Sequence, residues 1–172
     1  MNQKITRLLL YIFIGISLLK INDLKAQCVT GTEFTKTYPK RDLRGVFVAT
    51  VANIDWPTNK TATPAVQQAE LITILDNLRA NGYNTVFLQV RTECDALYAS
   101  TIDPWSYWLT GTQGTAPNPI WDPLQFAVTE AHARGLDLHA WLNPYRAVRN
   151  TATYTASATH VVNAHPSWIL TA

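Results

Sequence analysis

The order in which strand-like and helix-like segments alternate constrains the fold of this chain more than any other feature. Three apolar runs lie at Leu43–Val51, Thr85–Val90 and Leu136–Leu142. The first is rich in β-branched residues and does not alternate strictly between apolar and polar positions. Such runs are typical of strands that are buried on both faces in a parallel sheet. The sequence therefore predicts three parallel strands.

Two segments with helical periodicity separate these runs. Thr63-Pro64 predicts the N-cap and first residue of a helix that ends before Asn81-Gly82. Asp122-Pro123 predicts the start of a second helix, which Gly135 would close at its C′ position. The segment from Arg91 to Trp121 is expected to be a long functional loop, and a short helix is expected near Ser157–Ala164.

The resulting βαβαβ order predicts an α/β fold in which crossovers join parallel strands. Both a doubly wound sheet and a (β/α)₈ barrel begin in this way. The first strand–helix junction, Asn53–Pro57, contains no glycine that would let a pyrophosphate approach. No phosphate-binding G-x-x-x-x-G-K-[ST] motif occurs either, so we expect no nucleotide cofactor.

The first 26 residues have the pattern of a secretory signal peptide. Lys4 and Arg7 precede the apolar run Leu8–Leu19, whose helix would rise only about 18 Å, against the roughly 30 Å of a bilayer core. We predict cleavage after Ala26, a lead-in over residues 27–42, and an exported protein with no membrane span after the signal is removed. Its location would be the periplasm, the cell envelope or the medium. An uncleaved N-terminal anchor is the alternative.

The basic excess of the chain belongs to this segment. The formal net charge is +2, but without residues 1–26 acidic side chains outnumber basic ones by one. A nucleic-acid-binding domain would retain a basic surplus, so that class of partner is excluded. Export would permit one disulfide between Cys28 and Cys94, and two unpaired thiols are the alternative. The histidines show no spacing that predicts a zinc site.

Planar polar and aromatic side chains follow each predicted strand. The carboxyl ends of parallel strands form the active-site edge of α/β barrels. Amide, guanidinium and carboxylate groups bind sugar hydroxyls, and aromatic rings stack on sugar C–H faces. The pattern predicts a carbohydrate site made of Asn53, Asp55, Trp56, Gln89, Arg91, Asp95, Trp105, His139, Trp141, Asn143, Tyr145 and Arg146. The alternative is that the tryptophans pack the long loop, the amides cap loops and His139 is a core residue.

Several longer stretches resemble the glycosyl hydrolase-like 10 family, TIM-barrel proteins of bacterial envelopes. The matching stretches, which are co-linear, are Arg44–Pro57, Gln89–Ser100, Pro104–Gly114, Trp121–Pro123, Ala131–Gly135, Leu138–Arg146 and His165–Trp168. Thr92-Glu93-Cys94 departs from the proline-containing, small-residue version of the family pattern. The resemblance implies that residues 43–172 are the first three βα units of a (β/α)₈ barrel.

The resemblance also implies a glycoside hydrolase that acts on a polysaccharide, with peptidoglycan glycan strands as one candidate and no cofactor or metal. Such hydrolysis needs two carboxyl groups, and the family's candidates lie on later strands. A barrel takes about 250 residues. We therefore expect the catalytic pair beyond Ala172 and an inactive fragment in isolation. A non-catalytic glycan-binding module and an inactive truncated remnant are the alternatives.

Overall fold

The computed structural model describes residues 42–149 and 154–170. All described residues belong to one compact unit. The expected signal peptide, nearly all of the lead-in, and Cys28 lie outside the described residues. No helix in the described part of the chain is long and apolar enough to cross a membrane.

The fold is α/β, with a parallel three-stranded sheet in the order β1-β2-β3. The strands are β1 (Gly45–Val48), β2 (Thr85–Arg91) and β3 (Asp137–Leu142). The two long helices are α1 (Pro64–Ala80) and α3 (Pro123–Ala133), and the two short ones are α2 (Tyr107–Thr110) and α4 (Val161–Ala164). Short 3₁₀ turns occupy Val51–Asn53 and Pro166–Trp168. The predicted βαβαβ order is confirmed.

The helix boundaries follow the expected capping residues. Thr63 occupies the N-cap of α1 without a side-chain hydrogen bond, and Pro64 is its first residue. The Asp122 carboxylate caps α3 by accepting from the backbone N–H of Gln125 at 2.9 Å. Gly135, at φ +67°, takes the left-handed conformation that ends this helix.

Helices α1 and α3 pack against one face of the sheet. The core consists of residues from both layers, among them Val48, Val86, Leu88, Leu71, Leu75, Ala127 and Ala131. Ala127 and Ala131 are fully buried and lie one turn apart, so α3 packs closely. Of the neighbouring residues Val66 and Gln67 in α1, the polar one is buried. The Gln67 amide is satisfied there because it donates to the Leu109 carbonyl at 2.8 Å.

The sequence-based boundaries were wrong in two places. Strand β1 ends at Val48 instead of Val51, because the next two backbone N–H groups donate to side chains: Ala49 to Asp55 and Thr50 to Gln89. The predicted long loop contains the short helix α2. Ser106 caps α2 at its start, and Gly111, at φ +76°, ends it.

Candidate functional site

The face of the sheet opposite the helices carries a row of planar rings. Phe47, Phe87 and His139 are register partners on neighbouring strands. The Phe47 and Phe87 rings stack with centroids 4.7 Å apart, and Phe87 and His139 stack at 5.0 Å. Trp141 meets Phe47 edge-on at 5.3 Å. Phe47 is 61% exposed, so this face is uncovered in the described part of the chain.

Gly45 lets this row form. A Cβ atom at this position would lie 2.8 Å from the Phe87 ring, well inside van der Waals contact. The absence of a side chain on β1 therefore makes room for the stacked ring on β2.

At the carboxyl end of the sheet, the turn Arg91–Asp95 organises the neighbouring loops. The Arg91 guanidinium forms a two-pronged ion pair with Asp103, with N–O distances of 2.7 and 3.1 Å. It also donates to the Asn143 carbonyl at 2.9 Å. The Asn143 amide donates to the Thr92 carbonyl at 3.2 Å, so each loop contributes a side chain to the other. Strand β2 is thereby tied to the loop that follows β3.

Asp95 holds this turn together from inside. It is fully buried, and its Oδ1 accepts from the Thr92 N–H, the Thr92 hydroxyl and the Glu93 N–H at 2.7–3.1 Å. Cys94 sits in the turn at φ +53°. Its buried thiol is free and donates to the Arg146 carbonyl at 3.5 Å, while Cys28, its suggested disulfide partner, is not among the described residues.

Sequence reasoning missed Glu93, whose fully buried carboxylate lies at the centre of these loops. Its oxygens accept from the Trp108 indole at 3.2 Å, the Tyr154 hydroxyl at 2.8 Å and the Arg149 N–H at 2.9 Å. The available signal was a carboxylate just after a buried strand, within the stretch Thr92-Glu93-Cys94 that departs from the family pattern.

Buried and hydrogen-bonded groups in this region have shifted pKa values. Burial, together with the hydrogen bond to Glu93, raises the pKa of Tyr154, so its hydroxyl stays a donor. The hydrogen bond to Asp103 raises the pKa of Arg91, outweighing the opposite effect of burial. Burial also raises the pKa of the Cys94 thiol, although nearby Arg91 opposes this.

Besides Arg91, Asn143 and Trp141, five of the predicted site residues have side chains hydrogen-bonded to other parts of the protein. Trp56 is fully buried, and its indole donates to the Gln67 carbonyl at 2.9 Å. The Gln89 amide oxygen accepts from two backbone N–H groups of the loop after β1, and Asp95 is buried as described. The Asn53 amide donates to the Pro57 and Trp108 carbonyls, and the Asp55 carboxylate accepts from Ala49 at 2.7 Å.

These five side chains shape the loops around the strand ends. Burial leaves Trp56, Gln89 and Asp95 no surface for a sugar in this conformation, because all three are at most 1% exposed. The sequence patterns predicted direct sugar contact for these three residues, whereas the structure buries their side chains. The Arg91 side chain is neither fully buried nor freely accessible, because its ion pair with Asp103 is only partly buried.

The remaining predicted residues lie on or near the accessible surface. His139 and Trp141 belong to the ring-bearing face of the sheet, and the Trp141 indole donates to Asn143 at 3.0 Å. Tyr145 is 96% exposed, and Arg146 beside it is also exposed. Trp105 is half-buried and lines a cavity of about 230 Å³ together with Asp103, Gly114 and Thr159. Their role as substrate contacts stays a prediction.

A larger cavity, of about 280 Å³, lies between the start of α1 and the segment 109–118. Its lining includes Lys60, Thr63, Gln67 and Asn118. The described residues contain no group of three or more His, Cys, Asp or Glu side chains that could hold a metal ion.

Comparison with known proteins gives a consistent set of matches. The family described as glycosyl hydrolase-like 10 matches residues 42–172. Glycosyl hydrolase YngK of Bacillus subtilis (strain 168) is 43% identical over 130 residues, which are 75% of this chain and 25% of that protein. Glycosyl hydrolase DigH of Escherichia coli (strain K12) is 40% identical over 153 residues, covering 80% of this chain and 34% of that protein. The chain thus spans between a quarter and about a third of the curated relatives it matches.

Proposed function

Because the chain belongs to the glycosyl hydrolase-like 10 family, we propose that it forms the first three βα units of an exported (β/α)₈ glycoside hydrolase. Its substrate is a polysaccharide, for which the glycan strands of peptidoglycan are the first candidate. The observation that carries the proposal is the accessible set of Trp141, Tyr145 and Arg146 at the carboxyl end of the sheet.

The barrel is supported by the uncovered face of the sheet. In a closed (β/α)₈ barrel, inward-pointing side chains fill the interior in layers, each contributed by alternate strands. Phe47, Phe87 and His139 lie on the sheet face that would point inward, yet Phe47 is 61% exposed. Further strands paired beside β1 and β3 would cover this face and leave the strand ends open.

The described carboxylates at this edge are all engaged with the protein. Asp55 accepts from a backbone N–H, Asp103 pairs with Arg91, and Glu93 and Asp95 are fully buried. Glycoside hydrolysis requires one carboxyl group as acid and another as nucleophile or base, on either side of the bond. We therefore assign substrate binding to these three units and the catalytic pair to later strands of the barrel.

The accessible residues have complementary roles in such a site. The exposed Tyr145 ring provides a surface on which the C–H face of a sugar stacks, and Arg146 donates hydrogen bonds to hydroxyl or carboxylate oxygens. Trp141, oriented by its bond to Asn143, forms the floor. Arg91 and Asp103 fix the loop at the rim.

The test is the release of reducing ends from purified peptidoglycan by the full-length protein and by its Arg146→Ala variant. Loss of a hydrogen bond from a charged group costs about 1.5–3 kcal/mol, so kcat/KM should fall about 10- to 100-fold. Arg79→Ala, on the exposed last turn of α1, is the matched control and should behave as wild type. Equal kinetics for all three proteins would remove Arg146 from the site.

The same assay separates the proposal from a second candidate function. The engagement of the strand-end carboxylates Asp55, Asp103, Glu93 and Asp95 by the protein favours a glycan-binding module without catalysis. That alternative predicts retention on insoluble peptidoglycan with no reducing ends released.

A further inference from the structure

Glu93 has an environment that the proposed binding surface does not use. Its side chain is fully buried, and both carboxylate oxygens accept hydrogen bonds. Oε1 accepts from the backbone N–H of Arg149, and Oε2 accepts from the Trp108 indole and the Tyr154 hydroxyl. A buried carboxylate is tolerated only when such donors replace its hydration.

The three donors come from two separate parts of the chain. Trp108 belongs to α2, in the connection after β2, whereas Arg149 and Tyr154 follow β3 and are 56 and 61 residues away from Glu93 in sequence. The backbone carbonyl of Glu93 adds a fourth bond, because it accepts from His160 Nε2 at 2.7 Å. His160 Nδ1 then accepts from the Val162 N–H, in the first turn of α4. Glu93 thus links the turn after β2 to α2, to Arg149 and Tyr154, and to the N-cap of α4.

Ring contacts surround the carboxylate on the same side. Tyr154 stacks on Tyr107 with centroids 4.5 Å apart and meets Trp108 edge-on at 6.0 Å. The Arg149 guanidinium lies 5.7 Å from the centre of the Trp108 ring. These contacts exclude water from Glu93, which strengthens each of its hydrogen bonds.

A glutamate suits this position because its two carboxylate oxygens can accept from all three donors. A carboxylate accepts on both oxygens, whereas a glutamine amide accepts on one side and donates on the other. With glutamine at this position, the amide would face either Arg149 N–H or the pair Trp108 and Tyr154 with a donor. Either the Arg149 N–H or the Trp108 indole N–H would then face a donor and lose its hydrogen bond, whereas the Tyr154 hydroxyl can also accept.

We propose that Glu93 is a positioning residue of the substrate site, which holds the segment 145–149 in place at the strand ends. Tyr145 and Arg146 lie within this segment, between the Asn143 carbonyl held by Arg91 and the Arg149 N–H held by Glu93. Because both anchors are buried or partly buried, the two exposed side chains are presented from a rigid backbone. The inference rests on the proposed function for the identity of what this segment binds.

The structural test is hydrogen exchange in the full chain, followed at the Arg149 amide and the Trp108 indole N–H. In Glu93→Gln at least one of the two should exchange about tenfold faster, because buried hydrogen bonds to a charged group are lost. Tyr154→Phe, which keeps the ring, should give a smaller increase. Glu130→Gln, which removes a carboxylate from an ion pair on α3, is the matched control. Unchanged exchange in a folded Glu93→Gln would overturn the proposal.

The functional test separates positioning from simple structural support. In Glu93→Gln, KM for soluble fragments of purified peptidoglycan should rise about tenfold while kcat stays within about twofold, because substrate binding is weakened and chemistry is not. Faster exchange with unchanged KM would refute the positioning role. If wild-type protein neither binds nor cleaves peptidoglycan, the proposed substrate fails, whereas the exchange rates still decide whether Glu93 holds the segment.

Discussion

The ion pair between Arg91 and Asp103 should contribute measurably to stability, unlike an ordinary surface pair. The side chains are only 18% and 16% exposed, and two N–H groups of one guanidinium meet the two oxygens of one carboxylate. Exposed pairs contribute about 0.2–1 kcal/mol, whereas breaking a buried pair costs about 3–5 kcal/mol. Partial burial and two-pronged geometry place this pair between the two, at about 2 kcal/mol.

The measurement is a double-mutant cycle of Arg91→Met and Asp103→Asn, with free energies of unfolding from urea titrations. Arg91→Met also removes the bond to the Asn143 carbonyl, and the cycle subtracts that loss because it occurs in both arms. We expect a coupling free energy of about 2 kcal/mol that persists in 1 M salt, since partly buried pairs are weakly screened. A coupling below about 0.5 kcal/mol would contradict the reasoning.

Three further predictions concern a helix cap, a glycine and a thiol. Asp122→Ala should lower the free energy of unfolding by about 1–2 kcal/mol, because Asp122 accepts from the Ala99 N–H in addition to capping α3. Urea titration measures this loss, and Asp122→Asn, which keeps an acceptor, should lose less. Gly45→Ala should destabilise the folded protein by about 1 kcal/mol. Overpacking against Phe87 costs about 1–3 kcal/mol, and the lower backbone entropy of alanine offsets about 0.5–1 kcal/mol of that cost. A rise in melting temperature would contradict the clash. In a variant whose other cysteine is replaced by serine, Cys94 should react slowly with a thiol reagent at pH 8 in the native protein and fast in denaturant. Burial raises the pKa of the native thiol and so lowers its thiolate fraction. Equal rates in the native and denatured protein would contradict its burial.

The order of elements could be predicted from the sequence because each signal is local. Pro64 begins α1, Asp122 caps α3 and Gly135 ends it, and each of these effects acts within a few residues. The early end of β1 could not be predicted. It depends on Gln89, whose amide oxygen accepts from Thr50 across 39 residues of sequence.

The sequence indicated which polar and aromatic side chains follow the strands, but not which of them bond to the protein itself. Asn53, Gln89 and Tyr145 all follow or end strands, and amide groups suit sugars and loop backbones equally well. In the structure, the Asn53 amide donates to a loop carbonyl and the Gln89 amide oxygen accepts from a loop N–H, whereas Tyr145 is exposed. Glu93 was missed because its partners lie 15 to 67 residues away, beyond any local pattern.

The long sequence separations around the Arg91–Asp95 turn affect the order in which the molecule folds. Helix capping joins near neighbours in the chain, whereas the pairing of β2 with β3 and the bonds from this turn to Asn143, Arg149 and His160 close loops of 51 to 67 residues. Contacts of that span form after local ones, since the entropy of loop closure must be met first. The strand-end surface is therefore assembled together with the β2–β3 pairing, after the helices have begun to form.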